Sequence, residues 1–333
     1  MKNTQVIQLM SIVRLSIFML GITMMSCNSK KGQQLPAIGK SVALFDYFSY
    51  KGNDDFYISN PLSGEDYFYN PILPGWYSDP SVCTNGEGDY FLVTSTFTYF
   101  PGVPIFHSKD LVNWKQIGHV LNRASQLVNM EGQKVSGGIF APAISYNPYN
   151  KTYYMVTTNV GAGNFFVKTQ DPFGEWSEPV MLPEVGGIDP SFFFDEDGKA
   201  YIVNNDEAPD NKPEYSGHRT IRIQEFDVKT DKTIGPRKIL VNKGAQPADK
   251  PIWIEGPHLY KINGKYFLMS AEGGTGNWHS EVIFRGDSPM GKFLPWKNNP
   301  ILTQRHLNSD RPNSVTCAGH ADLIQTKEGD WWA

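Results

Sequence analysis

One short pattern recurs five times along the chain, at intervals of about 50 to 65 residues. In most copies a small or acidic residue precedes a proline and several apolar residues, and an aromatic or apolar pair follows about eleven residues later. The copies begin at Asp79, Ala141, Asp189, Glu255 and His320. Units of this kind pack on copies of themselves, because one unit alone cannot bury its apolar face. The recurrence predicts a radial repeat architecture.

Turn-forming residues separate the two halves of each copy, as in Asp197-Gly198 and Asn263-Gly264. Such dipeptides between apolar runs predict β-hairpins. Four units contain a further strand-like run, at residues 105–108, 165–169, 221–226 and 282–285. Four short strands per unit predict an all-β fold, a five-bladed β-propeller. The sequence ends midway through the fifth unit, so we expect an incomplete fifth blade unless the preceding segment supplies strands to it.

Acidic residues occupy three of the five equivalent positions, and equivalent positions of a propeller face its central axis. We therefore expect Asp79, Asp189 and Glu255 to converge. Two carboxyl groups across a pocket suit cleavage of a glycosidic bond, in which one protonates the leaving oxygen and the other activates water or attacks the sugar. A third carboxylate raises the pKa of the acid by like-charge repulsion. The alternative is a role in turns, where Asp before Pro is common.

Charge and motif content exclude several other classes of function. The chain carries 30 Lys and Arg against 34 Asp and Glu, a formal net charge of −4. Its one short basic block is Lys30-Lys31, which argues against a nucleic-acid partner. The seven histidines lack zinc-site spacing, and neither a phosphate-binding loop nor a Gly-x-Ser-x-Gly motif occurs.

The N-terminal segment has the pattern of an export signal. Lys2 and Arg14 precede an apolar run that is too short for a confident membrane span. The run ends at Ser26-Cys27, which resembles a bacterial lipoprotein signal. We predict a signal peptide at 1–26 and membrane attachment through a lipid on Cys27, hence a cell-envelope lipoprotein facing the periplasm or the outside. A plain secretory signal is the alternative.

The remaining chain divides by composition. Residues 27–40 are predicted to be a polar tether, 41–69 an aromatic lead-in that packs on the propeller, and 70–333 the catalytic propeller. A polar insertion at 205–219 predicts a surface loop near the rim of the site. Export permits a disulfide between Cys83 and Cys317, but two buried free thiols are the preferred interpretation.

Five stretches together resemble glycoside hydrolase family 43 over about residues 66–333. They are NPILPGWYSDPS at 70–81, YFPGVPIFHSKDL at 99–111, GIDPS at 187–191, IEGPH at 254–258 and GHADL at 319–323. The resemblance implies a five-bladed propeller that hydrolyses glycosides with inversion of configuration. The chain departs from the family pattern at its end, since family members continue through the rest of blade five.

The resemblance also implies roles for individual residues. Asp79 would be the general base, Glu255 the general acid, and Asp189 the residue that orients the acid and modulates its pKa. His320 would help to hold a metal ion, commonly calcium, on the propeller axis, with a core histidine bonded to backbone as the alternative. No organic cofactor is implied.

The stretch at 99–111 resembles xylosidase-type members of the family, whose pocket takes one non-reducing-end sugar. Candidate pocket walls are Trp76, Phe100, Phe140, Ala141 and Trp253, although core packing is an equal alternative for the aromatic residues. We expect a β-xylosidase acting on xylan-derived oligosaccharides. The alternatives are an α-L-arabinofuranosidase acting on arabinoxylo-oligosaccharides and, from another class, a non-catalytic sugar-binding propeller or an inactive fragment.

Overall fold

A computed structural model describes residues 55–64 and 66–333 of the chain. The chain divides into two compact units, Met1–Pro61 and Leu62–Ala333. In the first unit the described residues form a short helix, α1 (Asp55–Ser59). The predicted signal peptide, the tether with Cys27 and most of the lead-in lie outside the described residues and stay predictions. Within those residues, no helix combines the length and the apolar character that a membrane span requires.

The second unit consists of antiparallel sheets that follow one another along the chain. Blade one consists of β1 (Ser81–Thr84), β2 (Tyr90–Val93), β3 (Gly102–Ser108) and β4 (Lys115–Leu121). Blade two consists of β5 (Ile139–Asn147), β6 (Thr152–Asn159), β7 (Gly163–Thr169) and β8 (Val180–Met181). Blade three consists of β9 (Ile188–Phe194), β10 (Ala200–Glu207), β11 (Arg219–Asp227) and β12 (Lys232–Asn242).

Blades four and five complete the order. Blade four consists of β13 (Glu255–Ile262), β14 (Lys265–Glu272), β15 (Ser280–Gly286) and β16 (Leu294–Pro295), with β17 (Leu302–Thr303) also paired to β15. Blade five is a single hairpin of β18 (Ile324–Gln325) and β19 (Trp331–Trp332). The predicted all-β propeller with an incomplete fifth blade is confirmed.

The core lies between neighbouring blades, and the period-two alternation of strand side chains places it there. In β6, Tyr153 and Met155 pack with Phe91 of blade one. The intervening Tyr154 and Val156 pack with blade three instead. Every residue of β6 is buried because both faces of its sheet are covered, and the apolar run at its centre, residues 153–156, packs on both neighbouring blades.

Side chains close the ring at blade five. The Asp322 carboxylate accepts hydrogen bonds from Ser81 Oγ at 2.7 Å and from the Val82 N–H at 3.0 Å, both in blade one. It also accepts a hydrogen bond from the Tyr260 hydroxyl of blade four at 2.6 Å. We call these contacts the Asp322 clasp. The buried carboxylate joins β1 to β13 directly, so the axis is enclosed.

The end of the predicted lead-in contacts blade five. The Phe68 ring stacks on Trp332 with centroids 5.7 Å apart. Among residues 62–64 and 66–80, none lies in a strand. In this part of the chain the lead-in thus contributes an aromatic contact to blade five rather than a strand.

Both described cysteines are free thiols. Cys83 is buried in blade one, and burial raises the pKa of its thiol well above the ordinary value. Cys317 is only half-buried, so the interpretation of two free thiols is confirmed but full burial holds for one of them.

Candidate active site

At the start of each inner strand, one residue adopts a left-handed backbone conformation. These residues are Asp79 (φ 54°), Ala141 (φ 34°), Asp189 (φ 53°), Gly256 (φ 53°) and His320 (φ 57°). Aspartate is found in this region more often than most residues, whereas other side chains are held there at a cost of about 1–3 kcal/mol. In four blades a proline follows, and all five residues line one narrow cavity on the propeller axis.

Glu255 does not share this position, so the prediction of a single register for the three acids is wrong for blade four. Gly256 is the equivalent residue, and Glu255 precedes it. A side chain at 256 has no room, because a Cβ there would lie 2.7 Å from His320 Nε2. The carboxyl group of blade four therefore comes from the neighbouring residue and lies outside the axial cavity lining.

The Asp79 carboxylate has a polar contact at each of its oxygens. Ser95 Oγ donates to Asp79 Oδ2 at 2.5 Å, and the same hydroxyl accepts the Ala141 N–H at 2.7 Å. On the other side, His320 Nδ1 lies 3.5 Å from Asp79 Oδ1. One oxygen of this carboxylate is thus tied to blade two through Ser95, while the other faces the axial imidazole.

Asp189 lies deepest of the three acids, with 5% of its surface exposed. Its Oδ2 accepts the Gly256 N–H at 3.1 Å, which connects blade three to the residue after Glu255. Burial raises the pKa of Asp189 to about 6, with a further upward contribution from the charge of Asp79, opposed by His320. Around neutral pH this carboxyl group is mostly ionised.

The proton affinity of Glu255 is raised further than that of Asp189. Burial raises its pKa to about 8, and the negative charges of Asp189 and Asp79 add to that increase. The positive charge of Arg219 acts in the opposite direction. Glu255 consequently carries its proton at neutral pH and can donate it, whereas Asp189 beside it cannot. Adjacent carboxyl groups with separated pKa values are the arrangement that acid catalysis requires.

The predicted wall residues fall into separate groups. Trp76 is 61% exposed and stacks on Phe97, with ring centroids 5.4 Å apart, and Phe97 in turn contacts Phe140 at 5.5 Å. Phe100, which stands close to Phe97 in the sequence, is exposed. Ala141 lines the axial cavity.

Trp253 belongs to another cluster, where the Arg219 guanidinium lies 4.9 Å from its ring centroid. The sequence analysis missed Ser95, Phe97 and Arg219 as site residues. Nothing in the local sequence distinguishes Ser95 from any serine in a strand. Arg219 had been assigned to the insertion, whereas in the structure it begins β11, and the loop covers residues 208–218.

Calcium prefers six to eight oxygen ligands. Around the axis the side chains offer the imidazoles of His258 and His320 and the carboxylates of Asp79 and Asp189. In residues 55–64 and 66–333, no three His, Cys, Asp or Glu side chains are placed to hold one ion together. These side chains do not by themselves fit a calcium site. Calcium at His320 stays a prediction.

The sequence profile of glycosyl hydrolases family 43 matches residues 68–333. A xylosidase/arabinosidase of Butyrivibrio fibrisolvens is 47% identical over 266 residues, which cover 79% of this chain and 49% of the relative. A non-reducing end α-L-arabinofuranosidase of Bacteroides ovatus is 40% identical and covers 83% of this chain and 49% of its own length. This chain spans about half the length of these curated relatives.

Two solved structures superpose on most of this chain. The crystal structure of a GH43_12 protein retrieved from a capybara gut metagenome superposes with a TM-score of 0.77 at 55% sequence identity, covering 82% of this chain and 50% of that one. A xylan β-1,4-xylosidase from Bacillus halodurans superposes with a TM-score of 0.70 at 36% identity, covering 79% of this chain and 49% of that one.

Proposed function

Because this chain belongs to glycosyl hydrolase family 43, we propose that it hydrolyses the terminal glycosidic bond of xylan-derived oligosaccharides and removes the terminal β-linked D-xylose. The observation that carries the proposal is the raised pKa of Glu255. Its carboxyl group has a pKa of about 8, whereas the nearby Asp189 has a pKa of about 6. A buried acid with this proton affinity is suited to protonate a glycosidic oxygen.

The proposed reaction uses two proton transfers. Glu255 gives its proton to the leaving oxygen as the bond to the sugar C1 breaks. Asp79 accepts a proton from a water molecule whose oxygen bonds to C1 from the opposite face, which inverts the configuration. Ser95 and His320 support this role for Asp79, since their contacts fix the orientation of its carboxylate. Asp189 holds the Gly256 N–H and keeps the pKa of Glu255 high.

The identity of the sugar is the finer part of the proposal. The relatives are named for activity on xylose, on arabinose or on both, and α-L-arabinofuranose places several hydroxyl groups as β-D-xylose does. Release of α-L-arabinofuranose from arabinoxylan is therefore the second candidate function. The shared names favour a terminal pentose as the substrate class for either one.

The test compares nitrophenyl β-D-xyloside and nitrophenyl α-L-arabinofuranoside with an unactivated disaccharide of each sugar. We expect turnover of the xylosides, with Glu255→Gln lowering the rate on xylobiose by about 10²–10⁴-fold and on the nitrophenyl glycoside much less, because nitrophenolate leaves without protonation. Equal losses on both substrates would contradict the acid role of Glu255.

Two controls separate the remaining possibilities. Asp79→Asn should abolish turnover of both substrates. A good leaving group removes the need for the general acid, but the attacking water still needs the general base. Proton NMR of the first-formed sugar anomer should show inversion, and a retained anomer would overturn the role of Asp79. Binding of xylo-oligosaccharide without any turnover by folded protein would favour the non-catalytic sugar-binding propeller.

A further inference from the structure

The loop of residues 208–218 between β10 and β11 packs on the segment that leads into Glu255. The Trp253 N–H donates to Gly217 O at 2.8 Å, and the Tyr215 hydroxyl donates to Pro251 O at 2.8 Å. Gly217 has a φ of 84°, and a Cβ there would lie 2.7 Å from Ile252 Cβ. The contact therefore requires a glycine, and it fixes residues 251–253 against blade three.

Arg219 begins β11 immediately after this loop and is held on two sides. Its guanidinium lies over the Trp253 ring at 4.9 Å and forms an ion pair with Glu207 of the neighbouring strand. Glu207 and Arg219 are direct cross-strand partners, so the pairing of β10 with β11 sets the position of the arginine. Trp253 itself has a left-handed backbone (φ 56°), which an aromatic residue adopts only where its surroundings hold it.

We propose that Arg219 is a positioning residue for the acid Glu255, held by the 208–218 loop, Trp253 and Glu207 against the segment that leads into the acid. This inference rests on the proposed function. When Glu255 transfers its proton to the leaving oxygen, a new negative charge forms in a buried place near Asp189 and Asp79. The guanidinium is the cation that opposes their effect on Glu255, so it stabilises the carboxylate that the transfer creates.

The charge balance around Glu255 makes this role testable. Asp189 and Asp79 raise its proton affinity, Arg219 lowers it, and Glu207 partly neutralises the arginine through their ion pair. Removing the arginine charge should move the basic limb of the kcat/KM profile to higher pH, because the limb reports loss of the proton from Glu255. If Arg219 only held the fold together, its removal would lower stability and leave the position of that limb unchanged.

The experiment compares Arg219→Met with Arg219→Lys in the full chain. Arg219→Met should lower kcat on xylobiose about tenfold or more, lower it much less on the nitrophenyl xyloside, and shift the basic limb upward. Arg219→Lys should restore the position of the limb, since it keeps the charge. Equal losses on both substrates with an unmoved limb would overturn the proposal.

Arg222→Met is the matched control. Arg222 lies on the same strand, has similar exposure and pairs with Asp206 at 3.1 Å, but it does not contribute to the pKa of Glu255. The control should lower the melting temperature without moving the limb. A shift of the limb in Arg222→Met equal to that in Arg219→Met would contradict a specific role for Arg219.

A direct titration separates this inference from the proposed function. The chain is labelled with glutamate carrying ¹³C in the side-chain carboxyl group, and the Glu255 resonance is assigned by its loss in Glu255→Gln. Arg219→Met should move the midpoint of that resonance to higher pH, and an unmoved midpoint would overturn the inference. If the wild-type chain hydrolyses no glycoside, the proposed function fails while this titration still decides on Arg219.

Discussion

The acids of blades one and three have a left-handed backbone themselves, whereas the acid of blade four stands one position before the left-handed residue of its blade. Asp79 and Asp189 are themselves the left-handed residues and line the axial cavity. Glu255 precedes its left-handed neighbour Gly256, and its longer side chain is buried outside the cavity lining. The repeat thus supplies two acids by symmetry and the third by a departure from symmetry.

The departure has a steric cause in the fifth repeat. The imidazole of His320 fills the space that a side chain at position 256 would occupy. Position 256 therefore takes a glycine, and the acid of blade four is the preceding residue, whose pKa burial raises to about 8.

Gly256 gives the most direct test of the claim that His320 leaves no room for a side chain at this position. Gly256→Ala adds a methyl group 2.7 Å from His320 Nε2 on a backbone with φ 53°, so we expect a loss of about 3 kcal/mol in the free energy of unfolding, from strain and overpacking together. Gly264→Ala is the control, because its φ is 72° but nothing lies within 4 Å, and it should lose about 1 kcal/mol. Urea unfolding of both variants measures the difference, and equal losses would disprove the steric cause.

Stability against pH tests the separation of the two buried acids. The folded pKa of Glu255 is raised from 4.5 to about 8, so the unfolded chain loses this proton first, and stability falls as pH rises across that window. The loss should amount to about 2 kcal/mol between about pH 5.5 and pH 7, and Glu255→Gln should abolish it.

Asp189→Asn is the matched variant for this measurement. The pKa of Asp189 is raised from 3.8 to about 6, so the variant should flatten the stability profile between those two values. Loss of the Asp189 charge should also lower the pKa of Glu255 and end its part of the profile at a lower pH. Profiles that flatten over the same pH range in both variants would mean that the two carboxyl groups do not differ as the structure indicates.

A substitution of Ser191 should give the smallest effect. Ser191 tests whether the blade of Asp189 and the blade of Glu255 are held in register, because its hydroxyl joins the two. Its buried hydroxyl donates to Pro257 O at 2.5 Å, just beyond Asp189 in one blade and Gly256 in the next. Ser191→Ala should lower the free energy of unfolding by about 1 kcal/mol and also lower kcat.

Ser145→Ala provides the control for that bond. Ser145 Oγ donates to Phe192 O at 3.0 Å, the same kind of link between blades two and three but farther along both strands. We expect a similar loss of stability with an unchanged kcat, measured by urea unfolding and by nitrophenyl xyloside turnover. A fall in kcat for Ser145→Ala as large as for Ser191→Ala would remove any special connection between Ser191 and the acids.

The sequence was sufficient for the propeller, because strand periodicity and turn dipeptides are local signals. It also predicted that Asp79, Asp189 and Glu255 lie in one region, since each precedes or lies near a proline at a repeated interval. The register shift at Glu255 is visible in the sequence only through the proline, since Gly256 and not Glu255 precedes Pro257, and its steric reason, His320, comes from another blade. Ser95 and Arg219 were missed because a hydrogen bond to Asp79 or a place over Trp253 is set by tertiary contact alone.

The Asp322 clasp has a consequence for biosynthesis. Ser81 and Asp322 are separated by 241 positions, which a ribosome adding 5–20 residues per second needs roughly 10–50 s to cover. Throughout that interval the first blade has no partner on the face where Tyr90 and Leu111 later meet Ile324. This apolar face of the nascent chain therefore stays uncovered until the segment that carries Ile324 is made.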